Sequence, residues 1–363
     1  MARKGIKPLL LLGVAGSLAL AGCSGETQAA DSTEAAETGK LVISSWGGAY
    51  AEATRGLAAE FTEDTGIEVE VLDAGNHVSM VQSMDQTGTV EWDILDGMAL
   101  QDGYFLNQEG LLANWDDDTR AALEDAYGAD NVTDYDYSWS GYGMVVVCNE
   151  DAVAACPTTI EEFFDTEAFP GNRMLPGDPG FFGVLVNALA VATGSERDAL
   201  FEESEGVDRI AEGLRAVAPS TTVWYTSGDQ QNQAMLQGEA DMGIMASGRA
   251  FAVQDEGVNL NIAWDGLYVT GSSSILADAP NKESALKYVT WLAENPEAQA
   301  KWATALQYTV PHPEALDFIE PDVAERLANY PANFEGLYRQ DYVWHSNNKA
   351  EIDSTFLDII AGG

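Results

Sequence analysis

Residues Lys40–Leu72, "KLVISSWGGAYAEATRGLAAEFTEDTGIEVEVL", decide the fold class. "LVISSW" is a continuous apolar run ending at Trp46, the pattern of a buried strand. Ala49, Ala53, Leu57 and Phe61 then fall four apart, along one face of a helix that Gly66 stops. "IEVEVL" alternates Ile67, Val69 and Val71 as a second strand. Strand, helix and strand in such close succession imply parallel pairing in an α/β sheet. The turn between the first strand and the helix is unusual in holding two glycines and two large rings. Ligands of such sheets bind beyond the carboxyl ends of strands. Gly47 and Gly48 let the backbone approach a solute and leave the first helical amides open. Trp46 and Tyr50 flank that place and suit an ammonium group, each ring being worth about 0.5–2 kcal/mol. The competing use of both rings is packing into the interface between lobes.

Outward toward the N-terminus, "MARKGIKPLLLLGVAGSLALAGCSG" sets Arg3, Lys4 and Lys7 before an apolar run from Leu9 to Leu20. Charged, apolar and small residues in that order are an export signal, here residues 1–22, and the run is short for a membrane span. "LAGC" ending at Cys23 resembles the bacterial lipobox, which implies lipidation of Cys23. Residues 23–39 are small, polar and acidic, an expected flexible tether. Sixteen such residues span on the order of 20–25 Å root-mean-square. The expected location is outside the cell, lipid-anchored to the outer face of the cytoplasmic membrane or periplasmic. The membrane is then met through the anchor alone.

The chain carries a formal charge of −42, and loss of Arg3, Lys4 and Lys7 with the signal moves it to −45. A body this acidic repels phosphate backbones, so nucleic acid is excluded as a partner. Its Asp and Glu are spread along the whole chain, the distribution expected where acidity serves to keep a protein soluble. Cys148 and Cys156 stand eight apart in "CNEDAVAACP". In an exported protein they are free to form a disulfide, with two buried thiols as the alternative.

Toward the C-terminus, "WDILDGM" is a short buried strand ending at Asp96, and "YGMVVVCN" a strand leaving the first lobe. "TTIEEFFD" opens a helix on Thr158 or Thr159. "PGFFGVLVNALAVATG" (179–194) is an apolar helix, and "DMGIMA" a buried strand followed by a turn carrying Ser247, Gly248 and Arg249. "KESALKYVTWLAENPEAQAKWATAL" reads as one helix.

Six pieces in order, "SWGGAYAEA", "YGMVVV", "EEFFDTEAFPGNRML", "QAMLQGEADMGIMASGRAFA", "APNKESALKYVTWLAENPEAQAKWA" and "YTVPHPEAL", resemble the bacterial extracellular solute-binding proteins of the spermidine/putrescine ABC-transporter type. The resemblance implies a two-lobed periplasmic-binding-protein type II fold. Each lobe is then a mixed sheet flanked by helices, and hinge strands cross between them. Its boundaries are expected at 40–141 and 270–308 for lobe 1, and 142–269 and 309–363 for lobe 2. It implies a monomer without cofactor or metal that captures a small amine or ω-amino acid in the interlobe cleft. Putrescine, spermidine and γ-aminobutyrate are the candidate solutes, delivered to the transmembrane subunits of an ABC permease. Polyamine binders of this family place a Trp and an Asp just before the N-K-x-x-A helix. Here "LYVTGSSSILA" offers Gly271 and Ser272–Ser274 instead. Arg249 suits a ligand carboxylate as a planar fork.

The expected ligand residues are therefore Trp46, Gly47, Gly48, Tyr50, Asp96, Trp224, Ser247, Arg249 and Tyr268. Trp139, Tyr142 and Trp264 are open between cleft and core. Asp96 is the expected carboxylate for a cationic nitrogen, with capping of the next helix as its alternative. No G-x-S-x-G, H-E-x-x-H, P-loop or G-x-G-x-x-G is present, and His77, His312 and His345 lack metal-ligand spacing. The competing classes are an exported hydrolase and a sugar or anion binder of the same fold.

Overall fold

The nucleating unit forms as its periodicity dictates. Strand β1 (Leu41–Ser45) leads into α1 (Ala49–Thr65), whose last turn ends at Gly66 with φ 76°, a left-handed cap that donates to Thr62 O. Strand β2 (Val69–Asp73) returns parallel to β1 in the register Leu41 to Val69. The computed structural model describes residues 39–74, 77–177, 206–339 and 342–362. The signal segment, Cys23, the tether and the expected helix at 179–194 lie outside them.

The remaining elements are α2 (His77–Thr87), β3 (Ile94–Ala99), α3 (Leu100–Gln108), α4 (Asp117–Tyr127), β4 (Tyr137–Asn149), α5 (Ile160–Phe164) and β5 (Arg173–Pro176). After them come α6 (Gly206–Val217), β6 (Thr221–Tyr225), α7 (Gly228–Leu236), β7 (Met242–Ala246), α8 (Ser247–Asp255) and β8 (Leu260–Ile275). The C-terminal part holds α9 (Lys282–Glu294), α10 (Pro296–Leu306), the short α11 (Pro321–Ala324) and α12 (Pro331–Phe334), β9 (Leu337–Arg339) and α13 (Tyr342–Ile360). The strands form one mixed sheet in the order β2-β1-β3-β8-β4-β7-β5-β6, with β9 on β8.

Two long antiparallel strands make the crossing. Ile275 at the end of β8 faces Ile94 of β3, whereas Met144–Cys148 of β4 face Met242–Ala246 of β7. Among the described residues there are three hydrophobic clusters; a smaller one holds Leu95, Met98 and Leu276, and the two larger ones lie toward the two ends of these strands. Tyr137, Trp139 and Ile275 belong to the first, with Leu41, Phe61 and Trp302. Met144–Cys148 and Leu267 belong to the second, with Met174, Leu214 and Phe356. The chain is thus an α/β, two-lobed molecule in which each lobe has its own core.

Val310, Ala315, Ile319 and Leu327 pack in the first core, and Ile352, Phe356 and Ile359 of α13 in the second. Two local expectations change. The helix expected over Lys282–Leu306 breaks at Asn295, because Pro296 has no amide to donate and opens α10 instead. Ser247–Arg249 form the first turn of α8 rather than a free turn. Thr159 caps α5 by accepting from Glu162 N, and Glu162 reaches back to Thr158 N. Cys148 and Cys156 are bonded through their sulfurs, with Cα atoms 5.7 Å apart.

Candidate ligand-binding site

Helix α1 follows β1 after Trp46, Gly47 and Gly48, whereas α3 and α8 begin directly where β3 and β7 end. Their N-cap residues are Gly48, Ala99 and Ala246, and none supplies a capping side chain. Amides in these first turns are the donors a helix leaves open, at its positive dipole end. Gly48 itself has φ 66°, and a Cβ there would meet open space.

The first lobe contributes a corner of two rings. Trp46 donates its Nε1 proton to Gly97 O at 2.6 Å and meets His77 edge to face at 5.6 Å. A Cβ on Gly97 would lie 2.5 Å from the Tyr50 hydroxyl and 2.8 Å from Trp46 Cδ1. Both rings therefore close over Gly97, whose φ of 71° also demands glycine. The Tyr50 hydroxyl lies beside Ser140, and its acidity is suppressed by burial first and by the Asp96 charge second.

From Tyr50 the rings run onward as a row. Tyr50 meets Trp302 edge to face at 5.2 Å, Trp302 meets Tyr308 at 6.1 Å, and Tyr308 stacks on Tyr142 at 4.7 Å. Arg249 from lobe 2 closes the row: burial raises the Tyr308 hydroxyl above its ordinary range, and the nearby Arg249 charge acts against that rise. Two glycines make room for it. A Cβ on Gly228 would fall 1.9 Å from the Arg249 Cζ, and one on Gly248 would fall 2.3 Å from Leu306 O. The guanidinium also donates from Nη1 to Asp229 Oδ1 at 3.3 Å.

Several expected site residues take other positions. Asp96 is 4% exposed and accepts from Ser45, Thr54, Trp139 and Ser273, so its carboxylate is used by the chain itself and not aimed at a cation. Ser247 is fully buried and accepts from Gly143 N. Trp224 is half-buried on the second core, edge to face with Phe356 at 6.0 Å. Tyr268 bonds Thr309 through its hydroxyl at 2.9 Å and packs on Phe334, one residue layer from the row through Gly141. Trp139 is core, tilted under Trp302 at 4.6 Å, and Trp264 rests against Phe251 at 6.2 Å. Gly47 is exposed, and the nearest side chain to it is Asp73, which Arg55 engages at 2.5 Å.

Sequence reading missed Trp302, Tyr308 and Gly228. The first two stand in the motifs "NPEAQAKWA" and "YTVPHPEAL", where they read as helix face and loop. Among the described residues, no three His, Cys, Asp or Glu gather as metal ligands, and no helix is long and apolar enough to cross a membrane.

Comparison with known proteins shows this chain to be similar to solute-binding proteins. The chain is similar to the γ-aminobutyric acid-binding protein of Pseudomonas aeruginosa, at 26% identity over 88% of this chain and 91% of that protein. It is similar to the spermidine/putrescine-binding periplasmic protein of Salmonella typhimurium at 23% identity, over 76% of this chain and 79% of that protein. A solved GABA receptor superposes with a TM-score of 0.78 at 28% identity, covering 87% of this chain and 96% of that one. The family model described as bacterial extracellular solute-binding protein matches residues 56–334, and the chain belongs to that family.

Proposed function

We propose that this protein is the solute-capturing component of an ABC importer, and that its solute is a small ω-amino acid of the γ-aminobutyrate kind. The observation that carries this reading is the single row from Arg249 through Tyr308 and Trp302 to Tyr50 and Trp46. It sets one cation at one end and aromatic rings along the rest. A guanidinium fork grips a carboxylate in two parallel hydrogen bonds, and ring faces attract an ammonium group. A polyamine needs carboxylates, and the two acids nearest the Trp46 corner are already engaged, Asp96 by four donors and Asp73 by Arg55. The similarity to γ-aminobutyrate-binding proteins at 26% and 28% identity supports the same choice. Binding changes no bond in the solute, as in the family at large.

The remaining features extend this reading. Residues 1–22 direct export, Cys23 is lipidated, and the acidic segment to Gly39 tethers a monomeric body within reach of its permease. The Cys148–Cys156 bond then forms in an oxidising space. The lobe division runs through β4 and β8, where the chain passes from one core to the other.

A thermal-shift and calorimetry panel of γ-aminobutyrate, putrescine, spermidine, choline and a simple sugar tests the solute class. A bound solute stabilises the folded form by mass action, so γ-aminobutyrate should raise the melting temperature saturably and putrescine should not. A shift from diamines alone would remove the carboxylate reading, and turnover of any panel member would make the chain an enzyme.

A further inference from the structure

Behind the ring row lies a carboxylate that touches no part of it directly. Asp96 Oδ2 accepts from Ser45 Oγ and from Thr54 Oγ1, each at 3.2 Å. Its Oδ1 accepts from Trp139 Nε1 at 3.1 Å and from Ser273 Oγ at 3.0 Å. The four donors come from β1, α1, β4 and β8. Two indoles hang from this one group. Trp139 is bonded to it, and Trp302 donates to Thr54 Oγ1 at 3.4 Å, one hydroxyl away. The two indole rings lie against each other at 4.6 Å, and Trp302 carries both Tyr50 and Tyr308.

We propose that Asp96 is a positioning residue for the binding site: its carboxylate fixes Trp139 directly and Trp302 through Thr54, and so sets the wall against which the solute is held. This rests on the reading of the row as the ligand wall.

The energetics favour a functional role over a stabilising one. The titratable groups that face Asp96 are Tyr50 from α1, Tyr137 from β4 and Tyr288 from α9, all kept neutral chiefly by burial. No cation is among the causes acting on Asp96, whose pKa burial lifts to about 6 against the pull of its four donors. With the folded value above the unfolded one, the folded protein holds the extra proton between 3.8 and about 6. The contribution to stability is therefore present in acid and lost as pH rises through about 6. At neutral pH the ionised group costs stability. Buried ionised groups that break the rules of core composition mark functional sites. An indole can only donate, so a carboxylate with all four lone-pair directions filled is a rigid acceptor for it. Acid adds a proton to an oxygen that now accepts, and at least one donor must turn.

The test compares wild type, Asp96→Asn and Thr54→Val, the last removing the hydroxyl that joins Trp302 to the carboxylate and with it one of the four donors to Asp96. Ligand-free protein is titrated by near-UV circular dichroism, and the dissociation constant for γ-aminobutyrate is measured at pH 7.5. Wild type should show an indole transition with a midpoint near 6 that Asp96→Asn abolishes. Asp96→Asn should melt at or above the wild-type temperature at pH 7.5, yet bind γ-aminobutyrate at least about tenfold more weakly, as mispositioned walls do. Thr54→Val should weaken binding by a smaller factor. Unchanged affinity in Asp96→Asn, or an indole spectrum in wild type that ignores pH, overturns the proposal. Should wild type not bind γ-aminobutyrate, the solute assignment fails and the dichroism titration alone decides the role of Asp96. If Asp96→Asn does not fold, an unaltered Tyr50–Trp302 dichroism and affinity in Thr54→Val overturns it instead.

Discussion

Trp302, in the middle of the ring row, is 2% exposed, whereas the Arg249 side chain at the row's end is 24% exposed and pairs with an Asp229 that is 85% exposed. The lobe-1 side is held by packing: Trp302 touches Trp139, Tyr50 and Tyr308 and bonds Thr54. The lobe-2 side is held by a charged fork on a helix start, seated between Gly228 and Tyr308. One half of the site is inseparable from its lobe's core, and the other can be altered without disturbing its core. Changes on the two sides should therefore affect different quantities.

The largest effect belongs to Trp302→Ala. Removing a buried indole leaves a cavity and costs about 3–5 kcal/mol of stability. Affinity should fall with it, because Tyr50 loses the ring that holds it. Chemical denaturation read beside calorimetry checks both. A full-strength fold with lost binding would move Trp302 from core to free wall and remove the contrast.

Arg249→Ala should do the converse. Truncating one partner of a desolvated charge pair costs about 2–5 kcal/mol, so γ-aminobutyrate should bind at least about 30-fold more weakly. The unliganded melting curve should stay within about 0.5 kcal/mol of wild type, as for substitutions away from the core. Arg249→Lys should recover part of the affinity, since it keeps the charge and loses the fork. A collapse of stability in Arg249→Ala would show that the guanidinium builds the lobe.

Gly228→Ala acts on the same fork through space alone. Its Cβ would fall 1.9 Å from the guanidinium carbon, so the side chain must move aside. Its first-turn position in α7 suits alanine at least as well as glycine. Affinity should drop about tenfold, or roughly 1.4 kcal/mol, with stability unchanged. Calorimetry at constant melting temperature reads this directly, and unaltered binding would mean that Arg249 works equally well when displaced.

What the sequence disclosed follows the same division between local and distant. The β1–α1–β2 unit was legible because periodicity and Gly66 lie within one short stretch. That Trp46 and Tyr50 stand on either side of the glycine turn was legible for the same reason, but their closure over Gly97 was not. The break at Asn295 escaped because Ala285, Tyr288, Leu292, Ala300 and Ala303 keep an apolar face on both sides of Pro296. Trp302 escaped because a ring on an apolar helix face reads as core. Only the arrival of Tyr50, from 252 positions earlier in the chain, makes it part of a wall. Asp96 reads as a strand end, whereas β3 runs on to Ala99, and its donors Ser45, Thr54, Trp139 and Ser273 come from 42 to 177 positions away. A carboxylate's accessibility is decided by such distant donors, and no local pattern carries it.

The smallest effect concerns Asp229, and it has the opposite sign. Its carboxylate takes one arm of the fork at 3.3 Å, from a position open to water. Such pairs are worth about 0–1 kcal/mol, because solvent screens them and two long side chains must be ordered. A solute carboxylate has to displace Asp229 before it gains the fork. Asp229→Asn should therefore tighten γ-aminobutyrate binding by about two- to threefold, equivalent to roughly 0.5 kcal/mol. The gain should shrink as salt is raised, since the competing pair is the more exposed of the two. Weaker binding in Asp229→Asn, at any ionic strength, would reverse the argument: Asp229 would then be holding the fork in place or meeting the solute's ammonium group, and the lobe-2 side would be as preorganised as the lobe-1 side.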